Sequence, residues 1–131
     1  NLRVRSHLKV TNNAHYGYAQ TELLYALFES NRDRECTIIN IGSVSADGDR
    51  KQVNQYAIQK KALDAACTQL QLVDSKCKIL QIKPGRIDTD MVSHINEQKM
   101  HPGDLAKKIV EINKLSLDCL IKTVTIDNKV P

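Results

Sequence analysis

The sequence predicts an α/β fold, with about three parallel strands and helices on the faces of the sheet. Three short runs, at 36–43, 77–85 and 120–127, are rich in β-branched and aliphatic residues, and the stretches before and between them have helical composition. The runs are apolar almost throughout rather than alternating, as expected of strands covered on both faces. Strands joined by helices of this length run parallel, with right-handed crossovers.

Taken in order, residues 9–30 read as a helix whose apolar side is Tyr18, Leu24, Ala26, Leu27 and Phe28, ended by "SNRDRE". "CTIINIGS" (36–43) reads as a buried strand closing in Gly-Ser, and "VSADGDRKQ" as a polar loop with an Asp-Gly turn. Residues 53–72 form a second helix, with small residues at Ala57, Ala62, Ala65 and Ala66 that allow close approach to a sheet or another helix. "CKILQIKPG" (77–85) is the next strand, and "RIDTDMVSHINEQKM" (86–100) a mostly polar loop. "HPGDLAKKIVEINKL" (101–115) is a third helix, with Pro102 and Asp104 suited to its first turn. "LIKTVTID" (120–127) is the last strand, so the expected order is helix-strand-helix-strand-helix-strand.

Composition excludes several classes. A chain of 131 residues that is 41% hydrophobic and 26% charged has the length and apolar content for a single domain with a core, and is too apolar for disorder. No run of 18 apolar residues is present, so no membrane span is expected, and no signal or transit peptide is visible. The first residue is Asn rather than Met, which points to processing or to a fragment. The net charge of +4 is scattered, apart from Arg3, Arg5, His7 and Lys9, which read as a solvated face. With four Tyr, one Phe and no Trp, base stacking on a nucleic acid has little support.

Cys36, Cys67, Cys77 and Cys119 form no C-x-x-C pair, and buried reduced thiols in a cytoplasmic protein are expected. His15, His94 and His101 have no acidic or Cys partner at ligand spacing, so no metal site is expected.

"NQYAIQKKALDAAC" (54–67) carries the chemistry. Tyr56 and Lys60 are four apart, which on a helix puts them on one face about a turn apart. With four Tyr and thirteen Lys in 131 positions, a chance Y-x-x-x-K is roughly a one-in-three event, so the motif alone does not separate a surface pair from a phenol tuned by an ammonium. Topology adds to it. In open parallel sheets ligands sit beyond the carboxyl ends of the strands. Ser43 ends one strand there, Tyr56 and Lys60 start the next helix, and "PGRIDTDM" (84–91) leaves the following strand.

With Ser43 thirteen residues before Tyr56 on a strand reading "IINIGS", the sequence resembles the short-chain dehydrogenase/reductase family over nearly its whole length. "PGRIDTDM" resembles the family's P-G-x-x-x-T segment, with Thr89 as the Thr. "MHPGDLAKKIVEI" is similar to its P-E-D-V-A helix, and "TVTID" to its final strand. "TNNAHYGYAQTELLYALF" is similar to the helix carrying the family's Asn. Asn13 aligns with that Asn, since Tyr18 then takes the aromatic position five later, and Asn12 is the alternative. The family's opening strand and its T-G-x-x-x-G-x-G loop have no counterpart, because glycines 17, 42, 48, 85 and 103 nowhere take that spacing. The chain therefore resembles the C-terminal, catalytic half of an NAD(P)-binding Rossmann-like fold, a partial doubly wound parallel sheet.

The resemblance implies the roles. Tyr56 would be the general acid for carbonyl reduction, or the base for alcohol oxidation. A free phenol has a pKa of about 10, and a nearby ammonium lowers such a value. Lys60 would supply that ammonium and bond the nicotinamide ribose. Ser43 would donate to the substrate oxygen, and Asn13 would hold a relay water on Lys60. Pro84, Gly85, Ile87 and Thr89, with Tyr56 and Lys60, would contact NAD or NADP. Arg86 reads as a surface loop residue.

The implied function is an NAD(P)-dependent oxidoreductase acting on a small carbonyl or alcohol, homo-oligomeric in its complete form. The other reading is a truncated, non-catalytic module that works through protein contacts. The chain by itself is expected to be inactive and to bind NAD(P)H weakly, since the glycine-rich turn is missing. The strand at 36–42 is expected to have an open edge that invites aggregation.

Overall fold

The computed structural model describes residues 8–12, 17–47, 54–85, 99–116 and 119–128. Its elements are β1 (Leu8–Asn12), α1 (Ala19–Asn31), β2 (Cys36–Ile41), a one-turn 3-10 helix (Val44–Ala46), α2 (Gln55–Gln71), β3 (Cys77–Pro84), α3 (Pro102–Leu115) and β4 (Thr123–Ile126). The four strands form one parallel sheet in the order β1-β2-β3-β4. This is the expected α/β class, with one strand more than expected.

The extra strand corrects the helix expected at 9–30. Residues 8–12 pair with Cys36–Asn40 along their whole length. The buried residues of α1 are Gln20, Leu24 and Phe28, so the four-residue periodicity starts only at 20. Val10 and Thr11, β-branched, suit a pleated surface better than a helix. A second correction follows. β2 is flanked by β1 and β3, so it has no open edge, and the expected aggregation site at 36–42 falls away. Among the described strands the edge on that side is β1, where Lys9 and Thr11 are exposed.

Strand alternation distributes the core on two faces. Cys36 and Ile38 of β2, with Cys77 and Ile79 of β3, pack against Leu24 and Phe28 of α1 and Leu63, Ala66, Cys67 and Leu70 of α2. Ile39, Ile41, Leu80 and Ile82 point the other way, onto Leu105 of α3, with Ile109, Ile112, Val124 and Ile126 around them. Helices therefore cover both faces, which is why β2 and β3 read as continuous apolar runs. Ala57 and Ala66, with no side chain beyond Cβ, are among the buried residues of α2.

Three of the cysteines are buried free thiols, as expected, whereas Cys119 is exposed. Burial, reinforced by the Asp64 charge against the opposing effects of Asn40 and Lys83, pushes the Cys67 thiol up to about 12. Burial and the hydrogen bond with Cys36, whose Sγ lies 3.0 Å away, push Cys77 up to about 12 as well. Thiols held this far from ionisation are packing groups rather than nucleophiles.

Candidate active site

The polar residues gather where β1 and β2 end. Asn54 caps α2, its Oδ1 accepting from the Ala57 N–H at 3.1 Å. That cap fixes the start of the helix and so places Tyr56 in its first turn. The buried residues of α2 are Ala57, Lys60, Leu63, Ala66, Cys67 and Leu70, which puts Lys60 on the core-facing stripe rather than the solvated one. Lys60 is only 8% exposed, and its Nζ lies 5.5 Å from the centroid of the Tyr56 ring. The Lys60 ammonium is therefore buried beside the Tyr56 ring rather than held out in solvent.

A buried ammonium needs an acceptor, and Gln20 supplies it: Lys60 Nζ donates to Gln20 Oε1 at 2.7 Å. The orientation of that amide is fixed from its other end. Gln20 Nε2 donates to two backbone carbonyls, Asn12 at 2.9 Å and Ile41 at 2.7 Å, the last residues of β1 and β2. Both N–H groups are thereby satisfied, and the oxygen is left facing Lys60. Asn12 returns the contact, with Nδ2 donating to the Gln20 carbonyl at 3.0 Å and to Asn40 Oδ1 at 3.2 Å. Asn40 Nδ2 continues to Cys67 Sγ at 3.2 Å. A hydrogen-bonded chain thus runs from α2 through the strand ends to the start of α1 and back to α2. Burial holds the Lys60 pKa below its ordinary 10.5.

Ser43 is buried just beyond β2 and caps the 3-10 turn, its Oγ accepting from the Ser45 N–H at 3.1 Å. Accepting uses a lone pair and leaves the hydroxyl proton to donate elsewhere. Pro84 ends β3, and the Gly85 N–H donates to the Ile126 carbonyl at 2.8 Å. A Cβ at position 85 would fall 2.0 Å from Asp127 Oδ1, so a larger residue here would require the Asp127 side chain to move aside.

Ser43, Tyr56, Lys60, Pro84 and Gly85 all lie at or beyond the carboxyl ends of the strands. Asn13, Ile87 and Thr89, like Arg86, His15 and His94, lie outside the described residues. Gln20 was missed by the sequence reasoning, which paired Lys60 with an Asn. The signal was present: Gln20 is the one polar member of the buried 20-24-28 stripe. Among the described residues no group of three or more His, Cys, Asp or Glu is placed to hold a metal ion, and no helix is long and apolar enough to cross a membrane.

The same arrangement of strands and helices occurs in solved short-chain dehydrogenase/reductase structures. One from Vibrio parahaemolyticus superposes with a TM-score of 0.70 at 17% identity, covering 87% of this chain and 55% of its own. An alcohol dehydrogenase from Thermococcus sibiricus, complexed with 5-hydroxy-NADP, gives 0.73 at 16% identity, covering 91% and 62%. An apo SCOR enzyme from Clostridium thermocellum gives 0.68 at 19% identity, covering 95% and 64%. No protein-family model matches the chain, and no curated protein matches it. At these identities the likeness establishes the fold: this chain has the Rossmann-like fold of the short-chain dehydrogenase/reductase structures. It spans about 55–64% of the length of the three described.

Proposed function

We propose that this chain is the catalytic, C-terminal part of an NAD(P)-dependent oxidoreductase that interconverts a small carbonyl compound and its alcohol. The observation that carries the proposal is the buried Lys60 ammonium beside the Tyr56 ring, at the strand ends where open α/β sheets bind ligands. Fold neighbours support the cofactor class: one alcohol dehydrogenase is complexed with 5-hydroxy-NADP, a serine dehydrogenase with NADP+, and a 4-hydroxyisoleucine dehydrogenase with NADH.

The donor set fits a nicotinamide ribose. An ammonium has three N–H donors, and Gln20 takes one of them, leaving donors for ribose hydroxyls. When bound, the dinucleotide supplies or accepts the hydride. The chain's own residues handle the proton. Tyr56 donates its phenolic proton to the carbonyl oxygen in reduction and recovers it in oxidation. Ser43 donates a hydrogen bond to the same oxygen as charge develops on it. Lys60, held in place by Gln20, sets its ammonium beside the Tyr56 ring at the point where the proton is exchanged. Pro84, Gly85, Ile87 and Thr89 are assigned to the cofactor and Asn13 to the proton path by the family resemblance.

Titration of the intact protein with NADH and NADPH, followed by a panel of aldehydes and ketones, tests this. Saturable binding and turnover are expected; the absence of both overturns the assignment and favours a non-catalytic module. Lys60→Ala is expected to weaken dinucleotide binding and to lower turnover. A variant that changes neither removes Lys60 from the mechanism.

The intact protein is proposed to self-associate through α1 and α2. Leu23 (42% exposed) and Ile58 (55%) are exposed on these helices, and Leu72 (78%) directly after α2. Of the small residues in 57–66, Ala57 and Ala66 are buried within the chain, Ala62 is half-buried and Ala65 is exposed. Sedimentation at micromolar concentration should show a dimer or larger species, and a clean monomer would contradict it.

A further inference from the structure

Lys83 occupies a position where a lysine is unexpected. It is the next-to-last residue of β3 and lies between Ile82 and Pro84, both buried. It is itself only 5% exposed. Taking an ammonium out of water costs several kcal/mol unless it is paired. Lys83 is paired twice, its Nζ bonding Asp47 Oδ1 and lying 3.4 Å from Asp64 Oδ2. Burial alone would lower its pKa, but the hydrogen bond it donates to Asp47 and the charges of Asp64 and Asp47 outweigh it and raise the value.

The two carboxylates come from separate elements, and each element carries a residue of the candidate site. Asp47 ends the 3-10 turn that begins at Ser43, its own N–H donating to the Val44 carbonyl at 3.0 Å. Asp64 lies one helical turn beyond Lys60 on α2. The stem of Lys83 runs beside the residue preceding Ser43: a Cβ built on Gly42 would stand 3.6 Å from Lys83 Cγ.

We infer that Lys83 is a positioning residue: its buried ammonium straps the Ser43 turn and α2 to the end of β3, fixing Ser43 relative to Tyr56. The inference rests on the catalytic assignment above for its consequence, but its structural half stands alone. General acid and hydrogen-bond donor must meet on one substrate oxygen, and small displacements of such groups are costly. A turn closed by the Ala46 N–H to Ser43 O bond at 3.2 Å and the Asp47 N–H to Val44 O bond is too short to hold its own position.

The test is backbone amide exchange in the intact protein, compared among wild type, Lys83→Met and Asp47→Ala. Lys83→Met keeps the stem and removes the charge. Asp47 has a side chain 51% exposed, so its removal leaves the core intact and decides the matter if Lys83→Met does not fold. In both variants the Ala46 and Asp47 amides are expected to exchange about tenfold faster or more, with Ile39–Ile41 unchanged. Turnover should fall about tenfold to a hundredfold while dinucleotide affinity stays within about twofold. Asp47→Glu, which keeps the carboxylate, should recover much of that loss.

Unchanged exchange at Ala46 and Asp47 overturns the inference. So does a rise spread through β2 and β3, which would make Lys83 a general support of the core, and so does unchanged turnover in both variants. If the wild type has no turnover, the oxidoreductase assignment fails, and the exchange comparison still decides whether the strap exists.

Discussion

Tyr56→Phe in the intact protein is expected to lower turnover by about 10²–10⁴-fold, the contribution of a general acid, with dinucleotide binding retained. The substitution is conservative in every other respect. The ring that Lys60 approaches to 5.5 Å remains, and so does the Asn54 cap that starts the helix. Packing and helix stability should therefore change little, and the missing hydroxyl is left as the cause of any loss. Steady-state kinetics with the best carbonyl substrate, alongside a binding titration, separates chemistry from affinity. A variant that turns over within a few-fold of wild type would remove Tyr56 from the reaction.

Gln20→Leu is expected to have the largest effect on stability, because one amide serves three buried groups. Its loss leaves the Asn12 and Ile41 carbonyls without their donor and the Lys60 ammonium without its acceptor. Losing a buried hydrogen-bond partner costs about 1–3 kcal/mol per group, so a loss of at least about 3 kcal/mol is expected from urea denaturation. A change below about 1 kcal/mol would show that the site closes over without the amide.

The same variant has a pH signature. Burial already places the Lys60 pKa below 10.5, and removing the acceptor of its charged form lowers it further. Between the folded value and 10.5 the unfolded chain binds more protons than the folded one, so stability rises with pH across that window. The penalty of burying the charge is fully present below the folded value and is relieved above it. The variant should widen the window towards neutral pH, readable as a shift in the titration of the Lys60 side-chain NMR signals.

Much of the site was legible because it depends on local order along the chain. Ser43 and Tyr56 lie on either side of one strand-to-helix connection, and Tyr56 and Lys60 within about one turn, so all three fall at the same end of the sheet. Pro84 and Gly85 end a strand whose composition announces it. Gln20 was not legible in the same way: its contacts reach 8, 21 and 40 residues along the chain, and only folding brings Asn12, Ile41 and Lys60 to one amide. Lys83 was opaque for the same reason, its carboxylates being 36 and 19 residues away.

The strands repeat the contrast. The sequence by itself determined β2, β3, the three helices and the parallel class, because two-sided burial writes an apolar run and helical burial a four-residue stripe. It did not determine β1. "LKVTN" is short, half exposed and without a run of its own, and it becomes a strand because β2 offers a paired edge for it. Nor did it determine whether Lys60 and Lys83 face water or the core. That depends on whether a carboxylate or an amide oxygen waits inside, and for both lysines the acceptor comes from a distant part of the chain. A charge tolerated in the interior is decided by its partner's position, and that position exists only in the tertiary structure.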